Sequence, residues 1–173
     1  LSNGKKLRDH EAHSDLSTLD IFAHSSNIGT SKIVQKISPV DFYKYCKLFG
    51  FGTKTSISLN DESSGYIRDV SKWSKTSKTY ISIGQELSVT NLQLAMAYCS
   101  IANGGYLLSP NIIKTIYLDS EAIFKNKTKV IRKVLNEKHT KTILKAMKNV
   151  INYGTAENLN LKGYDIGGKT GTA

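Results

Sequence analysis

The sequence closes with the stretch Gly163-Tyr164-Asp165-Ile166-Gly167-Gly168-Lys169-Thr170-Gly171-Thr172-Ala173, which is rich in glycine and has a lysine beside small hydroxyl residues. The part from Gly163 to Thr170 matches the pattern Gly-x4-Gly-Lys-Thr of a phosphate-binding P-loop. A second interpretation takes only Lys169-Thr170-Gly171 as the motif. The residues before this stretch decide between the two.

The P-loop interpretation lacks the structural context that it requires. A P-loop connects a buried strand to a long helix, because the N-terminus of that helix holds the phosphates. Residues 159–165 are too polar for a buried parallel strand, and only Gly171, Thr172 and Ala173 follow Thr170. A P-loop NTPase is therefore kept only as a minor alternative.

The composition is that of a globular domain. The 173 residues are 39% hydrophobic and 22% charged, which is typical of a chain that buries a core. No apolar run approaches the roughly 20 residues that span a bilayer, and no signal peptide is recognisable. Leu1-Ser2-Asn3-Gly4 does not resemble a natural start, so we expect a piece of a longer protein.

The formal net charge of +10 is compatible with a nucleic-acid ligand, but the pattern of the charges disfavours one. Lysines are scattered along the chain, and the dense basic run at 124–133 holds one aromatic residue and no RNA-binding signature. A solvated basic face explains this run better. We therefore expect no nucleic-acid partner, while an anionic membrane or wall surface nearby stays open.

The histidines and cysteines do not form a metal-binding pattern. His10-Glu11-Ala12-His13 places its histidines three residues apart, whereas the zincin helix needs a spacing of four. We therefore expect no metal ion. Cys46 and Cys99 lie in apolar helical patterns and are predicted to be buried free thiols, although the sequence leaves a disulfide open.

Capping signals locate the predicted helices. Ser17-Thr18-Leu19-Asp20 and Thr90-Asn91-Leu92-Gln93 are capping boxes, and Ser38-Pro39-Val40-Asp41 is a strong helix start. The helix after Thr90 is apolar almost all round, which predicts a buried central helix. A last helix is predicted over 137–152.

Alternating patterns predict strands at 55–59 and 159–166. A further strand is predicted at 112–118, a short strand or a connector at 130–135, and a long polar surface loop at 60–79. Between the first two helices lies Ser25-Ser26-Asn27, whose small polar side chains compete with helical hydrogen bonds. Such a junction can present Ser25 and Asn27 from a rigid scaffold.

The junction and the closing stretch belong to a series of motifs that resembles one known family. In order, the motifs are Ser25-Ser26-Asn27-Ile28-Gly29 (S-x-N), Leu48-Phe49-Gly50-Phe51-Gly52 (FGFG), Ser82-Ile83-Gly84-Gln85, Val89-Thr90-Asn91-Leu92-Gln93-Leu94-Ala95 with Asn91 in place of the usual Pro, Ala102-Asn103-Gly104-Gly105, and Gly154-Thr155-Ala156 with Gly168-Lys169-Thr170-Gly171-Thr172-Ala173. Nearly end to end, the chain resembles the transpeptidase domain of class B penicillin-binding proteins, in particular the septal type.

The resemblance implies an α+β fold of the penicillin-binding protein and serine β-lactamase type, with an antiparallel sheet flanked by helices. It also implies that residues 1–173 are a partial transpeptidase domain, without the S-x-x-K helix that carries the nucleophile and without the final strands. The match at Ser2-Asn3-Gly4-Lys5 lacks a helix and lies too close before Ser25. We therefore expect the nucleophilic serine outside this chain.

The resemblance assigns catalytic roles in an acyl transfer that runs through an acyl-enzyme. Ser25 would relay a proton between the attacking hydroxyl and the leaving amine. Asn27 would hold the amide of the acyl chain and a neighbouring lysine. Lys169 would place positive charge beside Ser25 and attract the substrate carboxylate.

Substrate binding is implied for the residues after Lys169. Thr170 and Thr172 would hydrogen-bond the substrate carboxylate, and the backbone amide of Thr172 would be an oxyanion donor. Gly168 and Gly171 would leave room for the substrate to lie along this segment as an added strand.

The implied partners are peptidoglycan stem peptides, β-lactam antibiotics and the division or elongation machinery, at the extracytoplasmic (periplasmic) face of the bacterial inner membrane. The resemblance implies no cofactor. The alternatives are a non-catalytic interaction fragment, a serine β-lactamase and the P-loop NTPase. Ser26 disfavours the β-lactamase, because a class A β-lactamase has Asp at that position.

Overall fold

The computed structural model describes residues 6–171. Its helices are α1 (Thr18–Ala23), α2 (Asn27–Gln35), α3 (Pro39–Leu48), α4 (Ser77–Ser82), α5 (Asn91–Ala102) and α6 (Glu137–Asn152). Its strands are β1 (Tyr66–Ile67), β2 (Leu87–Ser88), β3 (Tyr106–Leu108), β4 (Thr115–Leu118), β5 (Glu121–Lys125) and β6 (Val130–Lys133). Short 3-10 turns lie at Val70–Lys72 and Glu157–Leu159. This mixture agrees with the predicted α+β class.

Within the described range the strands pair two by two: β1 with β2, β3 with β6, and β4 with β5. The pairings β3–β6 and β4–β5 are antiparallel, and each contains an irregularity in register. The hairpin of β4 and β5 was not predicted, because the sequence pattern indicated one strand over 112–118. The turn between the two strands takes Asp119 and Ser120 into the left-handed region, at φ values of 47° and 70°.

The chain divides into two compact units. Unit 1 takes in the described residues up to Lys44, then Arg68–Leu87, and then the residues from Lys138 onward. Unit 2 consists of Tyr45–Ile67 and Ser88–Glu137. Unit 1 is therefore built from three separate stretches of sequence.

The core of unit 1 lies along the apolar face of α6. Val150, Ile151 and Ala156 are buried there, and Phe22 of α1 and Ile166 pack against them. The predicted helix over 137–152 is confirmed, and its strongly one-sided distribution of apolar residues explains why it can cover a core on one side and face water on the other. This core brings α1 and the segment around residue 166 to the same helix.

The core of unit 2 consists of Met96, Leu107 and Val134, with Leu48, Phe49, Leu92 and Leu135 packed against them. The capping box predicted at Thr90 and Gln93 is present. Gln93 is 1% exposed and donates through Nε2 to the carbonyl oxygens of Thr53 and Ser64. A polar side chain thus ties the loops of this unit to α5.

Two predicted strands are wrong. At 55–59 the Glu62 carboxylate accepts from the backbone amides of Thr55 and Ser56, at 2.6 and 3.0 Å, and Ser56 has a φ of 60°. The chain there is a turn held by a side chain, not an extended strand. At 159–166 the end of the 3-10 turn Glu157–Leu159 and a further turn at 162–163 replace the predicted strand. The predicted loop at 60–79 also contains β1, a 3-10 turn and the start of α4.

The prediction that α5 is buried all round is also wrong. Its buried residues are Gln93, Met96, Ala97 and Ser100, which lie on one face, whereas Leu94 is 43% exposed. Two of the four are polar and one is alanine, so the pattern of apolar residues did not indicate which face is buried.

The two cysteines are free, and they differ in exposure. Cys99 is exposed, contrary to the prediction of a buried thiol. Cys46 is partly buried, and this burial raises the pKa of its thiol to about 11. We therefore expect the two thiols to differ in reactivity.

In the described range, none of the helices combines the length and the apolar character needed to cross a membrane.

Candidate functional site

The junction between α1 and α2 presents the Ser25 side chain. Ser26 is the residue that caps α2, because its Oγ accepts from the amide of Gly29 at 2.8 Å and donates to Oδ2 of Asp9 at 2.6 Å. Ser25 has a φ of 54°, a left-handed conformation that ordinary side chains seldom adopt. The Ser25 hydroxyl therefore takes no part in capping α2.

Lys169 is the partner of that hydroxyl. Its Nζ donates to Oγ of Ser25 at 2.7 Å and to the carbonyl oxygen of Thr170 at 3.1 Å. The ammonium also lies 5.9 Å from the centre of the Phe22 ring, within the range of a cation–π interaction. The two residues are 144 positions apart in sequence and are brought together within unit 1.

Burial changes the protonation behaviour of Lys169. The side chain is half-buried, and the loss of solvent around its charge lowers the pKa of the ammonium below the ordinary lysine value of 10.5. The neutral amine, which can accept a proton, therefore becomes accessible at a lower pH than in a solvated lysine. A hydroxyl both donates and accepts, so the Ser25–Lys169 pair can pass a proton in either direction.

The Thr170 side chain is tied to a turn that follows α6. Its Oγ1 lies 2.6 Å from Oγ1 of Thr155. The backbone amide of Thr155 donates to the carbonyl oxygen of Ala23 at 3.1 Å, two residues before Ser25. The turn thus touches both the end of α1 and the segment that carries Lys169.

The segment before Lys169 docks on α6. The amide of Gly168 donates to the carbonyl oxygen of Met147 at 3.1 Å, and a Cβ on Gly167 would lie 3.2 Å from the Cβ of Met147. Among the described residues, a Cβ on Gly168 or Gly171 would meet nothing within 4 Å. One side of this segment is thus packed on α6, while the positions of these two glycines are open.

The remaining predicted site residues fall outside this group. Asn27 opens α2, and its Nδ2 donates to the carbonyl oxygen of Arg8 at 3.2 Å. Over residues 6–171, no hydrogen bond joins Asn27 to Ser25 or Lys169. Thr172 lies outside the described residues. The structure therefore assembles Ser25, Lys169 and Thr170, and the roles of all the predicted residues stay predictions.

The comparison with known proteins identifies the family. A family model described as the penicillin binding protein transpeptidase domain matches residues 1–173. The chain belongs to the penicillin-binding protein transpeptidase family. The resemblance seen in the sequence motifs is thereby confirmed.

Relatives and solved structures agree with this family. The chain is 35% identical over 180 residues to penicillin-binding protein PbpB of Mycolicibacterium smegmatis, covering 98% of the chain and 28% of the relative. It is 32% identical to stage V sporulation protein D of Bacillus subtilis, covering 99% of the chain and 27% of the relative. The crystal structure of penicillin binding protein 3 from Mycobacterium tuberculosis matches 98% of the chain and 40% of its own, with a TM-score of 0.89 and 30% identity. That match confirms the predicted fold, and the chain spans well under half the length of these proteins.

Sequence reasoning did not assign a role to two residues at the site. The Thr155 hydroxyl contacts Thr170, and the Phe22 ring lies beside the Lys169 ammonium. Thr155 stands in the motif Gly154-Thr155-Ala156, but the motif does not indicate which group its hydroxyl contacts. Phe22 has the ordinary pattern of a core residue, and nothing in the sequence marks it.

Proposed function

We propose that this chain is part of a peptidoglycan D,D-transpeptidase that acts in cell-wall cross-linking at the division septum. The single observation that carries the proposal is the 2.7 Å contact between Lys169 Nζ and Ser25 Oγ. It joins the S-x-N motif at Ser25 and the Lys-Thr-Gly motif at Lys169, which lie 144 positions apart, into one hydroxyl–amine pair. Membership of the transpeptidase family supplies the reaction class.

The proposed reaction is acyl transfer through a serine acyl-enzyme. The nucleophilic serine lies on an S-x-x-K helix outside this chain, and attacks the carbonyl of a stem peptide or of a β-lactam. Ser25 relays the nucleophile's proton to the leaving amine, and Lys169 supports that transfer with its charge and its lowered pKa. An acceptor amine then takes the acyl group and releases the serine.

The proposed substrate contacts lie along the segment after Lys169. Thr170 and Thr172 bind the substrate carboxylate, and Gly171 admits the substrate backbone. Asn27 holds the amide of the acyl chain. The family's solved structures include complexes of penicillin binding protein 3 with aztreonam and with ampicillin, which supports β-lactams as ligands here.

The proposed setting follows from the same relationship. The named relatives include a peptidoglycan D,D-transpeptidase FtsI homolog, which supports a cell-wall transpeptidase. We place the active domain on the extracytoplasmic face of the inner membrane, with the division or elongation machinery as partner.

Labelling with a fluorescent penicillin tests the proposal in the full-length protein. We expect a covalent adduct that persists after the free drug is removed, and a drop in the acylation rate of roughly 10²–10⁴-fold in Ser25→Ala and Lys169→Ala, the range of a lost acid–base group. Lys162→Ala is the matched control, because Lys162 is an exposed lysine of the same segment. The 173-residue chain alone should not be labelled.

Three results would contradict the proposal. The first is a wild-type protein that is not acylated. The second is a Lys169→Ala variant that is acylated as fast as Lys162→Ala. The third is an adduct that hydrolyses within seconds, which would indicate a β-lactamase.

A further inference from the structure

The turn Gly154-Thr155 is placed so that it touches both halves of the candidate site. A Cβ on Gly154 would lie 2.4 Å from the carbonyl oxygen of Ala23, so only glycine allows this approach. The same oxygen accepts from the amide of Thr155 at 3.1 Å. Ala23 is fully buried. The turn after α6 is therefore fixed against the last residue of α1, two positions before Ser25.

The hydroxyl of Thr155 has two acceptors within reach. Oγ1 of Thr170 lies at 2.6 Å, and the carbonyl oxygen of Ala23 at 3.5 Å. A threonine hydroxyl carries one proton, so the direction of the Thr155–Thr170 hydrogen bond depends on what else Thr170 contacts. When the Thr170 hydroxyl donates its proton to a carboxylate, its oxygen can still accept a hydrogen bond. The Thr155 hydroxyl, at 2.6 Å, is placed to donate that hydrogen bond.

We propose that Thr155 is a positioning residue for carboxylate binding: its backbone fixes the turn to the end of α1, and its hydroxyl orients the hydroxyl of Thr170 toward the substrate carboxylate. The inference rests on the proposed function, because it takes Thr170 as a carboxylate ligand. It adds a residue outside the motifs to which that function assigns roles. Thr155 acts through Thr170 and does not contact the substrate itself.

The test compares two drugs that differ only in the carboxylate. Acylation rate constants of the full-length protein are measured for benzylpenicillin and for its methyl ester, by competition with a fluorescent penicillin. In Thr155→Val, which keeps the shape and loses the hydroxyl, we expect the rate with benzylpenicillin to fall roughly fivefold to tenfold, as for one lost hydrogen bond at a charged partner. The rate with the methyl ester should stay within twofold of the wild type, and Thr155→Ser should restore the rate with benzylpenicillin.

Two controls separate positioning from folding. Thr142→Val removes a hydroxyl on α6 that bonds only within its own helix, to the carbonyl oxygen of Lys138, and should leave both rates unchanged. A double-mutant cycle of Thr155→Val with Thr170→Val should be strongly non-additive, because the two hydroxyls act as one unit. If Thr155→Val lowers the yield of folded protein, Thr155→Ala and Thr155→Ser give the same comparison of the two drugs.

Distinct results would overturn the inference and the function. Equal losses with benzylpenicillin and its ester, an additive cycle, or no rescue by Thr155→Ser in an otherwise active protein would overturn the role of Thr155 and leave the transpeptidase standing. A wild-type protein that reacts with neither drug would overturn the proposed function itself.

Discussion

Replacing Gly105 by alanine is the sharpest test of the fold, because its neighbour Gly104 provides a matched control. Both glycines have positive φ, at 107° and 88°. A Cβ on Gly105 would lie 2.0 Å from the carbonyl oxygen of Leu135, whereas a Cβ on Gly104 would meet nothing among the described residues within 4 Å. The two substitutions therefore share the backbone strain and differ in the steric clash.

The structure sets the size of the difference. The strain of a left-handed alanine costs about 1–2 kcal/mol at either position. At Gly105 the clash also forces apart the two shortest of its three backbone hydrogen bonds, from its amide to the carbonyl oxygen of Ser100 at 2.8 Å and from the amide of Val134 to its own carbonyl oxygen at 2.7 Å. Each contributes about 1 kcal/mol net. We expect Gly104→Ala to lose about 1–2 kcal/mol and Gly105→Ala about 3–4 kcal/mol of the free energy of unfolding.

Urea unfolding followed by circular dichroism measures both losses. With a denaturant slope of about 1–3 kcal/mol/M, the two variants should unfold at midpoints that differ by about 1 M. Val134 belongs to the core of unit 2, so the damage should also appear as faster exchange of its amide. Equal midpoints for the two variants would refute the reasoning, since they would show that the approach of Gly105 to Leu135 is not fixed.

Three further predictions concern single side chains. Because burial lowers the pKa of Lys169, the folded protein loses this proton at a lower pH than the unfolded chain does, so the free energy of unfolding should rise as the pH approaches 10.5. Lys169→Met should abolish that rise in urea midpoints measured between about pH 8 and 11. An unchanged dependence of the midpoint on pH in this variant would contradict the lowered pKa of Lys169. A thiol reagent at neutral pH should modify the exposed Cys99 rapidly and Cys46 slowly, because burial raises the pKa of Cys46 to about 11 and little thiolate is present; mass spectrometry with Cys99→Ser as control checks this, and fast labelling of that variant would count against it. Gln93→Leu should destabilise the protein by about 3–5 kcal/mol, because the hydrogen-bond partners of a 1% exposed side chain are left unpaired; a midpoint like that of an exposed Gln35→Leu variant would contradict the structure. Gln35 lies on α2 and makes a single side-chain bond, to Thr79.

The helices were predicted well, because the side chains that cap them lie within a few residues of the helix start. Ser17, Ser38 and Thr90 each accept from an amide three residues ahead, and the helices begin where these side chains allow. Helix α6 has its predicted bounds, since its apolar face repeats over sixteen residues. Patterns of this length leave little room for another conformation.

Strands were harder to predict, because their partners are distant. The Glu62 carboxylate holds the amides of Thr55 and Ser56, and no local pattern distinguishes that turn from an extended strand. The wrong prediction for α5 has a similar origin: Gln93 and Ser100 are buried because they satisfy the backbone of neighbouring loops and of the helix itself. Hydrogen bonds between side chains and the backbone therefore determine these segments, and composition does not show them.

For the candidate site, the sequence motifs indicated which residues take part, and the structure shows which of these residues are in contact. The contact between Ser25 and Lys169 agrees with the expectation that charge lies beside Ser25. Ser26, which lies between the two predicted site residues, is the residue that caps α2. The pairing of Thr155 with Thr170 joins residues 15 positions apart across a bend, which no periodicity describes.

Because unit 1 is built from three separate stretches of sequence, its parts are synthesised at different times. A growing polypeptide emerges N-terminus first, at about 5–20 residues per second, so Lys169 arrives roughly 7–30 s after Ser25. Both stretches of unit 2 are synthesised within that interval, whereas Phe22 of α1 cannot pack on α6 until α6 has been made. The serine–lysine contact therefore cannot form until the whole of unit 2 has been synthesised, and a shorter nascent chain carries Ser25 without its lysine.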